Sequence, residues 1–253
     1  LGVMPLLREH FTIVAPSLPG YTLSFTPGQA RFGTEEIAEC FADLMSELGY
    51  QRFAVQGGDW GAFIGSRLAA RYPERVLGLH LNLLAVRRDP KIPAANEEEA
   101  AYLRHLAHWL KDETAYQSIQ GTKPQTLAYG LTDSPAGLAA WVGEKFHTWS
   151  DGGISRDDLL ANISLYWFTG AIGSSFWPYH ARLHRPWPFE SVRVPVGYAE
   201  FPKEILRPPR SLAAQAYADI RRWTVMPRGG HFAALEEPQA LAREIIEFFA
   251  ALR

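Results

Sequence analysis

The segment Val55-Gln56-Gly57-Gly58-Asp59-Trp60-Gly61 sets a carboxylate among glycines where an apolar run meets a helical pattern. A strand that turns into a helix through Gly-x-Asp-x-Gly has the form of a nucleophile elbow, with Asp where serine hydrolases carry Ser. Glycines are expected there because the turn is strained and flanking side chains would collide with strand and helix. Taken alone, GGDWG also reads as an Asp capping a helix after a glycine turn; the surrounding strand–helix rhythm and the downstream partners favour the nucleophile. A carboxylate, with a reference pKa of about 3.9, is ionised at neutral pH without a base. It can displace at saturated carbon and leave an alkyl ester that water opens at the carbonyl. A serine attacking the same carbon would leave an ether. The chemistry implied is displacement at sp³ carbon followed by ester hydrolysis, for which epoxides and alkyl halides are the two substrate classes. The N–H of Trp60, at the helix start, is the expected oxyanion donor.

Ester hydrolysis needs a base. Arg228-Gly229-Gly230-His231-Phe232 follows the last strand-like run, and nucleophile, acid, histidine is the chain order of hydrolases built on such an elbow. Of eight histidines, His231 alone sits in a glycine-bounded loop after a strand, which suits it to activating water. His10 and His80 are assigned to the sheet, and His105, His108, His147, His180 and His184 to the helical middle of the chain. The acid that orients the base should follow the preceding strand, where residues 194–204 offer Glu200 and Glu204. Spacing does not separate the two.

These groups need a scaffold. Residues 11–15 (FTIVA) read as a buried parallel strand ended by the turn cluster Pro16 to Gly20. A helix follows with Thr34 as N-cap and Gly49 as its end, then a strand at 53–56, a helix at 62–71 and a strand at 76–81. Such alternation means right-handed βαβ units and a parallel sheet. From 86 to 188 helical patterns rich in Trp, Tyr and His take over. Strand character returns at 194–199 and 222–226, and a closing helix covers 238–252. The expected organisation is an α/β core at 1–85 and 189–253, with an α-helical cap at 86–188 inserted between its halves.

Composition narrows the class. With 47% hydrophobic and 21% charged residues the chain can fill a core, and a net charge of −2 argues against a nucleic-acid binder. The single Cys40 allows no internal disulfide, so a reducing compartment is expected. No run approaches the roughly 20 apolar residues of a spanning helix. Aromatics reach 13%, with eight Trp, crowded between about 102 and 189. Trp109, Trp141, Trp149, Phe168 and Trp177 are candidate walls of an apolar pocket, although core packing is the commoner reason for such enrichment.

Several motifs together resemble the microsomal-type epoxide hydrolases, which include juvenile-hormone and many bacterial and fungal enzymes. They are Pro16-Ser17-Leu18-Pro19-Gly20-Tyr21, the run from Gln56 to Gly61, Leu79-His80-Leu81-Asn82, Gly121-Thr122-Lys123-Pro124, residues 133–138 (DSPAGL), Glu144-Lys145-Phe146 and residues 228–234 (RGGHFAA). The resemblance covers almost the whole chain and implies the α/β-hydrolase fold with a helical cap. It implies Asp59 as nucleophile and His231 as base, and favours Glu204 over Glu200 as the acid. It further implies that Tyr116 and Tyr179 protonate the epoxide oxygen, which phenols that stay protonated at pH 7 can do. Implied too is a vicinal diol product. Carboxylate, imidazole and phenols supply every step, so no metal or organic cofactor is expected. The further expectations are a small apolar epoxide and water as partners, a homodimer as an open option, and roles in aromatic hydrocarbon catabolism and detoxification. A cytoplasmic location is expected, any N-terminal anchor lying upstream of Leu1. The family carries a His-Gly-x-Pro loop, its other oxyanion donor, on strands before the point where this sequence starts. The sequence is therefore expected to be part of a longer protein or a natural truncation, with an unpaired sheet edge and with turnover in doubt for this stretch alone. The competing readings are a haloalkane dehalogenase and a non-catalytic remnant that binds apolar ligands.

Overall fold

The computed structural model describes residues 2–86, 92–186 and 190–252. Four strands, β1 (Phe53–Gly57), β2 (Val76–Leu81), β3 (Val196–Glu200) and β4 (Ile220–Val225), form one sheet in the order β1-β2-β3-β4. Each neighbouring pair is parallel, so each connection must cross back over the sheet. The helices are α1 (Met4–Leu7), α2 (Thr34–Glu47), α3 (Trp60–Arg71), α4 (Glu97–Asp112), α5 (Ala115–Thr122), α6 (Pro124–Asp133), α7 (Pro135–Trp149), α8 (Arg156–Thr169), α9 (Trp177–His184), α10 (Arg210–Ala216), α11 (Ala233–Glu236) and α12 (Pro238–Ala250). This is the α/β-hydrolase arrangement that the motifs implied.

Alternation along the strands sends side chains to two different layers. Leu79 and Leu81 of β2 and Val196 and Tyr198 of β3 are buried in one cluster with Ala62 and Ala69 of α3. The intervening positions face α12. The His80 ring lies 5.9 Å from that of Phe248, and a Cβ on Gly197 would fall 2.7 Å from the same phenyl ring. Gly197 is thus required by the close approach of α12, which buries Leu241, Ile245, Phe248 and Phe249 at helical spacing.

Between β2 and β3 every described element is helical, α4 through α9. The upper limit expected for the inserted segment, at 188–189, lies outside the described residues. Three local expectations need correction. Residues 11–15 form no strand. An apolar β-branched run becomes a strand only when a neighbour supplies its ladder, and among the described residues none does. His10 accordingly lies in the turn after α1 rather than in the sheet. Thr34 is the first helical residue and Gly33 the cap, because the Glu36 carboxylate accepts the Gly33 N–H at 2.8 Å.

His80 is fully buried on β2 with neither ring nitrogen hydrogen-bonded among the described residues. Burial, reinforced by Arg222 and opposed by Glu244, lowers its pKa from 6.5 to about 4. The folded state therefore holds a neutral ring, while the unfolded chain takes up a proton first on acidification. Its contribution to stability is whole above pH 6.5 and lost between there and about pH 4, on the order of 3 kcal/mol. Urea unfolding at pH 7 and pH 4.5 measures this: His80→Gln should shrink the acid-induced loss, and an equal loss in both proteins would remove His80 as its cause.

Candidate active site

The tip of the β1–α3 turn is held in a conformation that L-residues rarely adopt. Asp59 has φ 46° and ψ −127°, one of two non-glycine residues at positive φ among those described. Such a residue costs on the order of 1–3 kcal/mol and persists only where its surroundings fix it. Here they do. A Cβ on Gly57 would fall 2.3 Å from the Gly61 carbonyl oxygen, so strand and helix meet at a distance only glycine permits, and one on Gly58 would fall 2.5 Å from the Asn82 side-chain Nδ2, just beyond β2. Gly61 departs from the expectation: a Cβ there would meet nothing, and it is its carbonyl that crowds Gly57. The Trp60 N–H donates to Asp59 Oδ1 at 2.6 Å.

The other carboxylate oxygen faces the histidine. His231 Nε2 lies 3.1 Å from Asp59 Oδ2, and His231 Nδ1 lies 2.7 Å from Glu204 Oε1. His231 and Glu204 are buried, whereas Asp59 opens onto a cavity. Glu200, which spacing could not distinguish from Glu204, accepts from Trp223 Nε1 at 2.9 Å and pairs with Arg207. The histidine loop is pinned through its backbone. The His231 N–H donates to the Trp149 carbonyl, Gly229 N–H to Asp151, and Gly230 and Phe232 N–H to Glu236. Sequence reading gave neither Asp151 nor Glu236 a role: Asp151 caps a loop far along the chain, which nothing local marks, while Glu236 lies close by at the end of the short helix that follows the histidine.

Charge follows from this packing. Burial alone would lower the His231 pKa, but Glu204 and Asp59 together raise it to about 10, so the free site holds an imidazolium between two carboxylates. Burial would raise Asp59; the hydrogen bond and charge of His231, the Trp60 amide and Arg182 outweigh it and hold the carboxyl below its ordinary value.

A cavity of about 530 Å³ covers Asp59 and His231 and is lined by Tyr116, Tyr179, Trp141, Trp149, Phe146 and Ile172, among others. The Tyr116 and Tyr179 rings meet edge to face at 5.8 Å, Tyr179 packs on Trp60 at 4.8 Å and Trp149 on His231 at 5.2 Å. Burial first, and the Asp59 charge second, push both phenols above their ordinary pKa, so they are neutral donors at physiological pH. Tyr21 and Tyr166 line the same space. Sequence reading met Tyr21 only inside a motif and gave neither a role.

Three of the five aromatic residues expected at the pocket lie elsewhere. Phe168 is 84% exposed at the end of α8, Trp109 is buried on α4 away from the cavity, and Trp177 packs on Gly20 and Phe25. Trp141 and Trp149 do line it. Composition records how many aromatic rings a segment has; the face of each helix decides where they go.

Comparison with known proteins agrees with this geometry. A family model described as alpha/beta hydrolase fold matches residues 2–127. Epoxide hydrolase 1 of Oryctolagus cuniculus is 39% identical over 96% of this chain and 61% of its own length. The structure of the Aspergillus niger epoxide hydrolase superimposes with a TM-score of 0.86 at 31% identity, covering 100% of this chain and 69% of that one. The juvenile hormone epoxide hydrolase of the silkworm Bombyx mori superimposes with a TM-score of 0.88 at 29% identity, with the same coverage. The chain spans 58–62% of the length of the first curated relatives it matches.

Since the Asp59 charge helps to hold the proton on His231, Asp59→Asn should lower the imidazole pKa from about 10 by about one to two units. NMR titration of the ring protons measures it. An unchanged titration would mean that Glu204 alone sets the charge.

Proposed function

The chain belongs to the epoxide hydrolases of the α/β-hydrolase fold, and from that premise we propose that it opens epoxides to vicinal diols through an ester on Asp59. One observation carries the reading: a carboxylate at a strained elbow lies 3.1 Å from an imidazole backed by a second carboxylate, under a cavity shared with two neutral phenols. In the proposed first step Asp59 Oδ2 attacks an epoxide carbon and the ring C–O bond breaks. The electron pair passes to the epoxide oxygen, which takes a proton from Tyr116 or Tyr179. Asp59 Oδ1, held by the Trp60 N–H, becomes the ester carbonyl oxygen.

The raised pKa of His231 then acquires a purpose. Esterification abolishes the Asp59 charge, so the imidazolium loses that support and its proton returns to the phenolate. The neutral ring can now take a proton from water, which attacks the ester carbonyl while the Trp60 N–H stabilises the oxyanion. Collapse breaks the ester C–O bond, the leaving alkoxide takes the proton of the newly added hydroxyl, and the diol departs with carboxylate, imidazolium and phenol restored. In this reading α4 to α9 form the cap that carries both phenols over the elbow, and Phe146, Trp141, Trp149 and Ile172 suit a bulky apolar epoxide.

A second reading has one observation in its favour. The indole nitrogen of Trp149, a residue of the cavity lining, is buried without a hydrogen-bond partner among the described residues, as a donor to a halide would be. Assays with styrene oxide and a bromoalkane separate the two. Bromide release without diol would establish the dehalogenase.

The epoxide reading makes two further demands. His231→Gln should leave the ester intact, so that mass spectrometry finds the Asp59 peptide heavier by one substrate, with turnover down about 10²–10⁴-fold. Failure to trap any ester would count against covalent catalysis. Tyr116→Phe and Tyr179→Phe should each slow ester formation by on the order of 10² and spare its hydrolysis, which rapid-quench kinetics resolves. Equal loss in both steps would deny the phenols their role.

A further inference from the structure

Glu204 is satisfied on one oxygen only. Oε1 accepts from both His231 Nδ1 and the Ile205 N–H, each at 2.7 Å, while Oε2 is buried with no partner among the described residues. A bare oxygen on a buried carboxylate is costly, on the order of 1–3 kcal/mol or more. The Tyr198 hydroxyl is in the complementary position. It too is buried and without a partner among the described residues, on a side chain that is fully enclosed. Tyr198, on β3, packs in the same cluster as Ile205, the residue that follows Glu204, with Leu81 and Leu83 around them; Ala199 and Phe201 turn to the opposite cluster. Burial first, then the Glu204 charge ahead of Glu200, raises the phenol well above its ordinary pKa. Tyr198 therefore offers a donor that stays protonated, within electrostatic reach of Glu204 and without a direct hydrogen bond to it. One enclosed water satisfies such a pair.

We propose that Tyr198 is a positioning residue: a single enclosed water joins its hydroxyl to Glu204 Oε2 and locks the carboxylate whose other oxygen orients His231. The consequence for catalysis rests on His231 being the base. With Oε2 pinned, the carboxylate cannot turn about its Cγ–Cδ bond, and some of its charge is drawn away from Oε1. That tempers the hold on the imidazolium proton, which must leave before water is activated. Asp59 and Glu204 face the ring; Asp151 and Glu236 hold its loop through backbone N–H groups; and Glu200, Arg207 and Tyr102 are the other charged or titratable groups acting on Tyr198. Among the described residues none of these groups hydrogen-bonds the Tyr198 hydroxyl directly, so Tyr198→Phe breaks none of their hydrogen bonds.

Tyr198→Phe keeps the ring and its edge contact with Trp223 at 4.7 Å. In the whole protein the variant should titrate His231 about half a unit or more higher by NMR. It should hydrolyse the ester about fivefold more slowly, the equivalent of one ordinary hydrogen bond, with ester formation unchanged and the pH profile of hydrolysis displaced upward. High-resolution crystal structures should show the water in the parent and not in the variant. An unmoved histidine titration, equal slowing of both half-reactions, or a parent structure without the water would overturn the proposal. The titration needs no turnover. A shifted His231 in a protein that forms no ester would uphold the link from Tyr198 while removing the base from the proposed function.

Discussion

A carboxylate at positive φ facing a buried imidazole is the constraint to which the rest of this molecule answers. The turn that presents Asp59 works only if β1 and α3 approach closely enough to exclude a side chain at Gly57, with Asn82 crowding Gly58 from beyond β2. That approach is secured in turn by apolar packing of α3 on β1 and β2, with Ala62, Ala69, Leu79 and Leu81 enclosed in one cluster. Local backbone strain and distant core packing are thus one structural fact: without the core, Asp59 would relax out of its conformation.

The three charged groups of the site come from three separate stretches of chain, and the sheet is what brings them together. Asp59 follows β1, Glu204 follows β3 and His231 follows β4, all beyond the carboxyl ends of parallel strands. Such ends are where open α/β sheets place their ligands, because loops there converge without obstructing the hydrogen-bonded ladder. Burial then sharpens the electrostatics. Glu204 is enclosed and shut off from bulk solvent, so its charge acts on the imidazole at short range and low screening.

The helical segment between β2 and β3 does more than cover the site. Its Trp149 carbonyl accepts the His231 N–H, and the Trp149 ring packs against the imidazole. Asp151 holds the neighbouring Gly229 N–H. The histidine loop is therefore positioned jointly by the sheet side and the helical side, and the phenols of α5 and α9 are held against each other by their rings. Among the described residues no helix is long and apolar enough to cross a membrane.

By itself the sequence determined what depends on neighbours in the chain. The Gly-Gly-Asp-Trp-Gly turn, the glycine-bounded His231, the helical spacing of α2, α3 and α12 and the apolar runs of β1 to β4 were legible because each rests on local sterics or local periodicity. The resemblance to epoxide hydrolases added Tyr116, Tyr179 and the preference for Glu204. Tertiary structure alone decided the remainder. It set Glu204 on the imidazole and Glu200 on Trp223, two carboxylates four residues apart whose chemistry is identical and whose environments are not. It left residues 11–15 without a ladder, turned Phe168 to solvent, and made Asp151 an anchor of a loop far along the chain. The reason is physical: a side chain's type is fixed by its codon, but its burial, its partner and its charge state belong to groups that only folding brings near.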